Sequence, residues 1–216
     1  MHKGLLFDLD GVIVDTAKYH YLAWKELADQ LGIPFTEKDN ERLKGVSRMR
    51  SFEIILEIGN RSMTTEEKEH YCKLKNEQYL EYIKKLKKEE ILPGVKEFLE
   101  DCKKKGYRIA LGSASKNSLL ILQRLELLEA FDEIIDGTKV SSAKPDPEVF
   151  VKGAESLGLQ ASECIVFEDS AAGVEAAHCG GMKAVGIGTY ENLPEADVII
   201  PGFTGVTIEK LEEILK

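Results

Sequence analysis

Residues 5–16 read LLFDLDGVIVDT, and this stretch determines the interpretation of the chain. Its apolar run is short enough for a buried strand, and it leads directly into two aspartates, Asp8 and Asp10. Burying or crowding carboxylates is costly unless a positive group lies beside them. The stretch therefore predicts a strand whose carboxyl end faces a compensating cation.

The rest of the chain alternates short apolar runs with helical patterns, joined by brief links. This alternation is typical of a doubly wound, mostly parallel sheet with helices on both faces, so we predict an α/β, Rossmann-like fold. The later strands are predicted at residues 107–113 (YRIALGS), 132–136 (DEIID), 163–169 (ECIVFED), 182–188 (MKAVGIG) and 196–200 (ADVII).

The segment between the first and second strands is helical and highly charged, with no strand-like run. We predict an all-helical domain over residues 16–88, inserted into an α/β core formed by residues 1–15 and 89–216. The first strand therefore precedes the inserted domain in the sequence, and the other strands of the sheet follow it.

Two helices of the insertion have recognisable ends. Asp15 or Thr16 is expected to cap the first, and Gly32 lies where a helix C-terminus favours glycine. Residues 64–90 read as one long helix, and Thr64 begins a capping-box pattern.

Composition narrows the possible functions. The formal net charge is −9, with 43% hydrophobic and 31% charged residues, so the chain lacks the basic surface that nucleic acids or anionic membranes need. The four cysteines are widely spaced, which favours free thiols in a reducing cytoplasm. No signal peptide or membrane span is predicted, and a monomer is the default expectation.

Polar side chains follow the predicted strands where each one ends. Because ligands of open parallel sheets bind outside the carboxyl ends of the strands, these groups should meet at one edge. Carboxylates gathered in this way suit a hard divalent cation, most naturally Mg²⁺, with room for a phosphoryl group. One aspartate could then attack phosphorus while the other handles a proton. The groups are Asp8, Asp10, Ser113, Lys144, Glu168 and Asp169.

The motif FDLDGV, followed in order by Ser113, Lys144 and the EDS that starts at Glu168, resembles the haloacid dehalogenase superfamily of phosphotransferases. This resemblance implies that Asp8 is the nucleophile and Asp10 the general acid and base. It also implies Mg²⁺ as cofactor. The implied metal ligands are Asp8, Asp10 through its backbone carbonyl, and Asp169, with Glu168 beside them, and the implied partners of the transferred phosphoryl group are Ser113, Ala114 and Lys144.

Segments of the insertion and of the loop after the second strand resemble the phosphosugar mutases of that superfamily: DGVIVDTAKYH, LKGVSR, KLKN and SASKN. The resemblance implies exchange between β-glucose 1-phosphate and glucose 6-phosphate through β-glucose 1,6-bisphosphate, with a phosphorylated aspartate. It assigns a second phosphate site to Arg48, Ser115, Lys116 and Asn117, the sugar site to Lys44, Gly45, Val46 and Ser47, a hinge to Thr16, and the positioning of Asp10 to His20 and Lys75.

Two other functions fit parts of the pattern. A sugar-phosphate phosphatase would use the same strand-end residues, but it needs only one phosphate site. A signalling receiver domain also phosphorylates an aspartate at a strand end, yet it has neither a helical insertion nor a use for Asp10. Sugar phosphates are thus the expected partners, and a second cationic pocket would favour the mutase.

Overall fold

The computed structural model describes residues 2–44 and 46–215, and within them six strands form one fully parallel sheet. The strand order is β3-β2-β1-β4-β5-β6, so the order reverses between β1 and β4, where such sheets open a ligand crevice. This confirms the predicted doubly wound sheet. The strands are β1 (Gly4–Phe7), β2 (Arg108–Gly112), β3 (Glu133–Ile135), β4 (Cys164–Glu168), β5 (Lys183–Ile187) and β6 (Val198–Ile200).

Helices cover both faces of the sheet and form the segment between β1 and β2. We call the first four helices after β1 the helical insertion: α1 (Ala17–Gln30), α2 (Glu37–Glu41), α3 (Arg48–Ile58) and α4 (Thr65–Ile83). The remaining helices are α5 (Val95–Lys104), α6 (Ser118–Leu125), α7 (Glu148–Ser156), α8 (Ala171–Cys179) and α9 (Ile208–Ile214). The residue limits of the two predicted domains stay a prediction.

Alternation along the central strand creates two separate apolar cores. Leu5 and Phe7 point to one face and Leu6 to the other, and all three are fully buried. The first face is packed with aromatic rings, and the Phe7 and Phe167 centroids stack 4.5 Å apart. With both faces covered, β1 is rigidly held, and the loop that follows it begins from a fixed position.

The helical insertion has an apolar core of its own. Trp24 and Phe52 stack with their ring centroids 6.1 Å apart, among other buried side chains of α1 and α3. Gly32 ends α1 with a φ of +64°, a conformation that favours glycine. None of the helices in the described part of the chain has the length and apolarity needed to cross a membrane.

The capping box at the start of α4 is confirmed: the Thr64 hydroxyl accepts from the Glu67 amide at 3.2 Å, and the Glu67 carboxylate accepts from the Thr64 amide at 2.8 Å. The prediction of one helix over residues 64–90 was wrong, because α4 ends at Ile83 and a separate 3-10 turn spans Lys88–Glu90. Leu86 is buried in the core that contains Phe7, so the chain bends to reach the sheet.

The predicted cap of α1 was also wrong in its chemistry. Thr16 occupies the N-cap position, but its side chain makes no capping hydrogen bond, and its buried hydroxyl has no partner. Asp15 is exposed and does not cap the helix. The Thr16 backbone is near the α-helical region, whereas a capping side chain needs an extended backbone to reach the first amides.

Candidate active site

Lys144 is at the centre of the strand-end cluster and connects two carboxylates. Its ammonium donates to Asp8 Oδ1 and to Glu168 Oε1, each at 2.5 Å, and to the Gly112 carbonyl at 3.1 Å. The side chain is completely buried. Burial alone would lower the pKa of Lys144, but Asp8 and Glu168 raise it above its ordinary range, so the ammonium stays charged.

Both aspartates of the first loop resist ionisation. Burial raises the pKa of Asp8 to about 6, despite the opposing effect of Lys144. Burial and the charge of Asp8 raise the pKa of Asp10 to about 7. Asp10 Oδ1 is buried without a hydrogen-bond partner. The loop therefore holds Asp10 poised to exchange a proton near neutral pH.

Asp169, which directly follows β4, packs against Gly11 in the loop after β1. A Cβ atom on Gly11 would lie 2.1 Å from Asp169 Oδ2, so only glycine fits this approach. Burial and the charge of Glu168 raise the pKa of Asp169 well above its usual range. The Lys44 ammonium lies 3.4 Å from Asp169 Oδ2 and 3.1 Å from Glu41 Oε2.

These crowded carboxylates fit a hard divalent cation in their donor chemistry, since oxygen ligands with excess negative charge are what such ions bind. As they stand, no group of three or more His, Cys, Asp or Glu side chains across residues 2–44 and 46–215 is arranged to hold a metal ion. Lysines lie against the carboxylates instead, Lys144 on Asp8 and Lys44 on Asp169.

Glu168 faces away from the open side of the cluster. Its Oε1 accepts from Lys144, and its Oε2 accepts from both the amide and the hydroxyl of Ser170 at 2.9 Å. The carboxylate also fills the space beside Gly173, where a Cβ atom would come within 1.9 Å. Its role as a metal ligand stays a prediction, and its contacts favour the positioning of Lys144.

The loop after β2 is held by its own hydroxyl groups. The Ser113 hydroxyl accepts from the Ser115 amide at 3.1 Å, and the Ser115 hydroxyl accepts from the Asn117 amide at 3.2 Å. Ser113 is anchored to the sheet by its amide, which donates to the Ile135 carbonyl at 3.0 Å. The loop thus runs from the strand-end cluster to the start of α6.

A second polar group joins the insertion to this loop. Arg48, the first residue of α3, donates through Nη2 to Asn76 Oδ1 at 2.7 Å. The Asn117 side-chain amide donates to the same oxygen at 3.0 Å. Arg48 forms no ion pair with a carboxylate among the described residues, and burial lowers its pKa.

His20 and Lys75 link the insertion to Asp10. Lys75 Nζ lies 2.8 Å from His20 Nδ1, and His20 Nε2 lies 4.0 Å from Asp10 Oδ1. Burial and the charge of Arg48 lower the pKa of Lys75 well below its usual value. Burial and the charge of Lys75 lower the pKa of His20 well below its usual value, so the ring is neutral. The tautomer that carries its proton on Nε2 would accept from Lys75 at Nδ1 and face Asp10 with a donor.

One cavity of about 550 Å³ joins the two polar groups. We call Asp8, Asp10, Lys144, Glu168 and Asp169 the transfer site, and Arg48, Asn76, Ser115, Lys116 and Asn117 the distal site. Thr16, Lys144 and Glu168 lie outside the cavity wall, and Gly45 lies outside the described residues. The sequence-predicted residues that line the cavity are Asp8, Asp10, His20, Lys44, Val46, Ser47, Arg48, Lys75, Ser113, Ala114, Ser115, Lys116, Asn117 and Asp169.

Asn76 is the clearest residue that sequence reasoning missed. It lines the cavity and accepts the two hydrogen bonds described above. Its only sequence signal is its place beside Lys75 in the KLKN segment. Ser47, which was predicted to shape the sugar site, also accepts from the Arg50 amide at 3.2 Å and so begins α3.

Comparison with known proteins agrees with this geometry. The family model for haloacid dehalogenase-like hydrolases matches residues 2–181, so the chain belongs to the haloacid dehalogenase-like hydrolase family and is an enzyme of that family rather than a receiver domain. It is 41% identical to the β-phosphoglucomutase of Bacillus subtilis, over 98% of this chain and 94% of the relative.

Two further relatives carry different names, one a mutase and the other a phosphatase. The crystal structure of β-phosphoglucomutase from Clostridium difficile superposes with a TM-score of 0.95 at 41% identity, covering 99% of this chain and 97% of the other. A phosphorylated carbohydrates phosphatase from Thermotoga maritima is 32% identical over 99% of this chain and 96% of its own length.

Proposed function

We propose that the chain is a phosphosugar mutase that interconverts β-glucose 1-phosphate and glucose 6-phosphate. The observation that carries this proposal is the pair of sites along one cavity, the transfer site with its aspartates and the distal site with a half-buried guanidinium. A bisphosphate that is transferred at one end and held at the other needs both, whereas hydrolysis of a monophosphate needs only the first.

In this reaction Asp8 carries the phosphoryl group as an aspartyl phosphate. The 6-hydroxyl of β-glucose 1-phosphate attacks that phosphorus, Asp10 takes the hydroxyl proton, and the bond to the Asp8 oxygen breaks. The bisphosphate then turns over in the cavity. Asp8 attacks the phosphorus at the other end, and Asp10 returns its proton to the departing sugar oxygen.

The assigned roles follow the contacts around each aspartate. Asp10 has a pKa near 7 and an unpartnered buried oxygen, which suits a group that alternately accepts and donates a proton. His20 faces that oxygen from the helical insertion, and Lys75 contacts the other ring nitrogen of His20, so closure of the insertion over the sheet would complete the site and exclude water.

Mg²⁺ is the proposed cofactor, held by Asp8, the Asp10 carbonyl and Asp169, and it supplies positive charge that screens phosphate from the attacking carboxylate. Lys144 and Ser113 are proposed to hold the oxygens of the transferred group. With three cysteines buried and all four free, a reducing cytoplasm is also proposed. A monomeric state remains the default proposal.

The alternative is a sugar-phosphate phosphatase, which the 32% identity to the Thermotoga maritima phosphatase favours. A coupled assay tests the choice, with β- and α-glucose 1-phosphate side by side, Mg²⁺ and trace glucose 1,6-bisphosphate present, and free phosphate measured in parallel. The mutase forms glucose 6-phosphate from the β anomer faster than it releases phosphate. Phosphate release that outpaces glucose 6-phosphate formation identifies a phosphatase.

A further inference from the structure

One uncharged side-chain oxygen in the distal site connects the helical insertion to the start of α6. Asn76 Oδ1 lies on α4 of the insertion, and it accepts from Arg48 on α3 and from Asn117 at the start of α6. A carbonyl oxygen has two lone pairs, so these two donors saturate it. The donors still have N–H groups to spare, because a guanidinium carries five and a side-chain amide two.

The contact with Asn76 leaves the positive charge of Arg48 unneutralised. Arg48 is half-buried, and its hydrogen-bond acceptor on Asn76 is an uncharged amide rather than a carboxylate. A carboxylate at position 76 would hold the guanidinium equally well but would cancel its charge. An amide fixes the direction of the guanidinium and keeps the positive charge available to an anion.

From this geometry we infer that Asn76 is a positioning residue of the distal site, which aligns Arg48 and Asn117 for the phosphate that is not transferred while leaving the guanidinium unneutralised. The inference rests on the proposed function in one respect, namely that the distal site holds a phosphate. Asn76 acts through its two neighbours, so it should affect binding at the distal site and leave phosphoryl transfer at Asp8 unchanged.

The test compares Asn76→Ala and Asn76→Asp with Glu77→Ala. Glu77 is the next residue on α4 and is exposed, so it serves as the matched control. Three quantities are measured for each variant: the KM for glucose 1,6-bisphosphate in the mutase assay, the KM for acetyl phosphate as a small phosphoryl donor to Asp8, and the melting temperature.

We expect Asn76→Ala to raise the KM for the bisphosphate about 10-fold, as the loss of two orienting hydrogen bonds predicts. Asn76→Asp, which is almost isosteric, should raise it more, by about 30- to 100-fold, because it neutralises Arg48. The KM for acetyl phosphate should stay within about 2-fold in both, and the Asp variant should melt no lower than the Ala variant.

A merely structural role would give the opposite order, with Asn76→Asp restoring wild-type affinity. That result, or an Ala variant that matches Glu77→Ala, would overturn the inference, as would parallel changes in both KM values. A second measurement separates a failure of this inference from a failure of the proposed function. It is the affinity for glucose 6-phosphate, measured by calorimetry in EDTA, with Arg48→Ala as the variant that lacks the guanidinium. An enzyme without mutase activity would refute the proposed function, while the same affinity order would still support Asn76 as a positioning residue.

Discussion

The transfer site and the distal site are joined by one cavity but differ in the charge of their side chains. The transfer site is formed by loops at the strand ends of the sheet, and its four carboxyl groups outnumber its one lysine. The distal site is formed jointly by the insertion and the loop before α6, and it holds a guanidinium against neutral amides.

The difference explains how one cavity can treat two phosphates differently. In the proposed reaction, the carboxylates of the transfer site would bind a cation and provide the nucleophile, so that phosphate is activated and cleaved there. A guanidinium oriented by neutral partners would bind an anion without attacking it, so that phosphate is only held at the distal site. Substitutions in one site should therefore alter chemistry, and substitutions in the other should alter selectivity for two-phosphate substrates.

The strongest test of this division replaces Asp8, the proposed nucleophile. Asp8→Asn removes the carboxylate charge but keeps the size of the side chain, so every phosphoryl transfer should fall by at least about 10⁴-fold, with both sugar phosphates and acetyl phosphate. Asp15→Asn makes the same change at an exposed position of the same loop and should leave turnover within about 2-fold. Residual mutase activity in Asp8→Asn above the assay background would place the nucleophile elsewhere.

Removing the buried lysine should damage both chemistry and stability. Lys144→Met leaves Asp8 and Glu168 facing each other without a cation, which costs about 3–5 kcal/mol of unfolding free energy. Such a loss corresponds to a melting temperature lower by roughly 10 °C for a chain of this size. Turnover should fall by about 10³-fold because a partner of the transferred phosphoryl oxygens is lost.

Lys139→Met provides the control for Lys144→Met, because Lys139 is exposed and donates only to a backbone carbonyl. Calorimetry and a steady-state assay on both variants measure the two effects. A Lys144→Met enzyme with wild-type melting behaviour would mean that the buried carboxylates are neutralised by some other route.

In the distal site, the expected effect is smaller and selective. Arg48→Ala should lower mutase kcat/KM by about 100-fold, since a charge-assisted phosphate contact is lost. Hydrolysis of acetyl phosphate, which needs only the transfer site, should change by less than about 3-fold. Arg50→Ala on the same helix is the matched control, because Arg50 is exposed and pairs with Glu57 and Glu53. Equal losses in both assays would contradict the division between the sites.

The sequence predicted the sheet well because each strand is a buried apolar run with a fixed period. Leu5, Leu6 and Phe7 carry the pattern directly, and the carboxyl end of the strand follows from its direction. The strand-end residues could therefore be placed together before any coordinates. The end of α4 could not, because burial of Leu86 against the sheet depends on a tertiary contact that helical periodicity does not encode.

The distal site was harder to predict for a related physical reason. Arg48, Asn76 and Asn117 come from three separate segments, and each is an ordinary polar residue in its own helix or loop. Only the packing of the insertion against the sheet brings them to one oxygen. Likewise, the sequence indicates that Lys144 compensates carboxylates. It does not indicate that both carboxylate oxygens of Glu168 accept hydrogen bonds, one from Lys144 and the other from Ser170.

The last test concerns a dependence of stability on pH that the raised pKa values of the transfer site should produce. Its aspartates have pKa values of about 6 for Asp8 and about 7 for Asp10, well above the value near 3.8 of unfolded chains. The native state therefore binds more protons than the unfolded state between about pH 4 and pH 7. In EDTA, the melting temperature should fall by roughly 10 °C as pH rises through this interval.

Bound Mg²⁺ should weaken or reverse that slope, because a cation stabilises the ionised carboxylates that pH 7 would otherwise leave crowded. The measurement is a set of melting curves from pH 5 to pH 8, with EDTA or with Mg²⁺. Arg48→Ala should keep the wild-type slope under both conditions, since the distal site holds no raised carboxyl pKa, whereas Asp10→Asn should flatten the slope in EDTA. A slope in EDTA that rises with pH would show that the carboxylates of the transfer site are already compensated, and the contrast between the two sites would then rest on geometry alone.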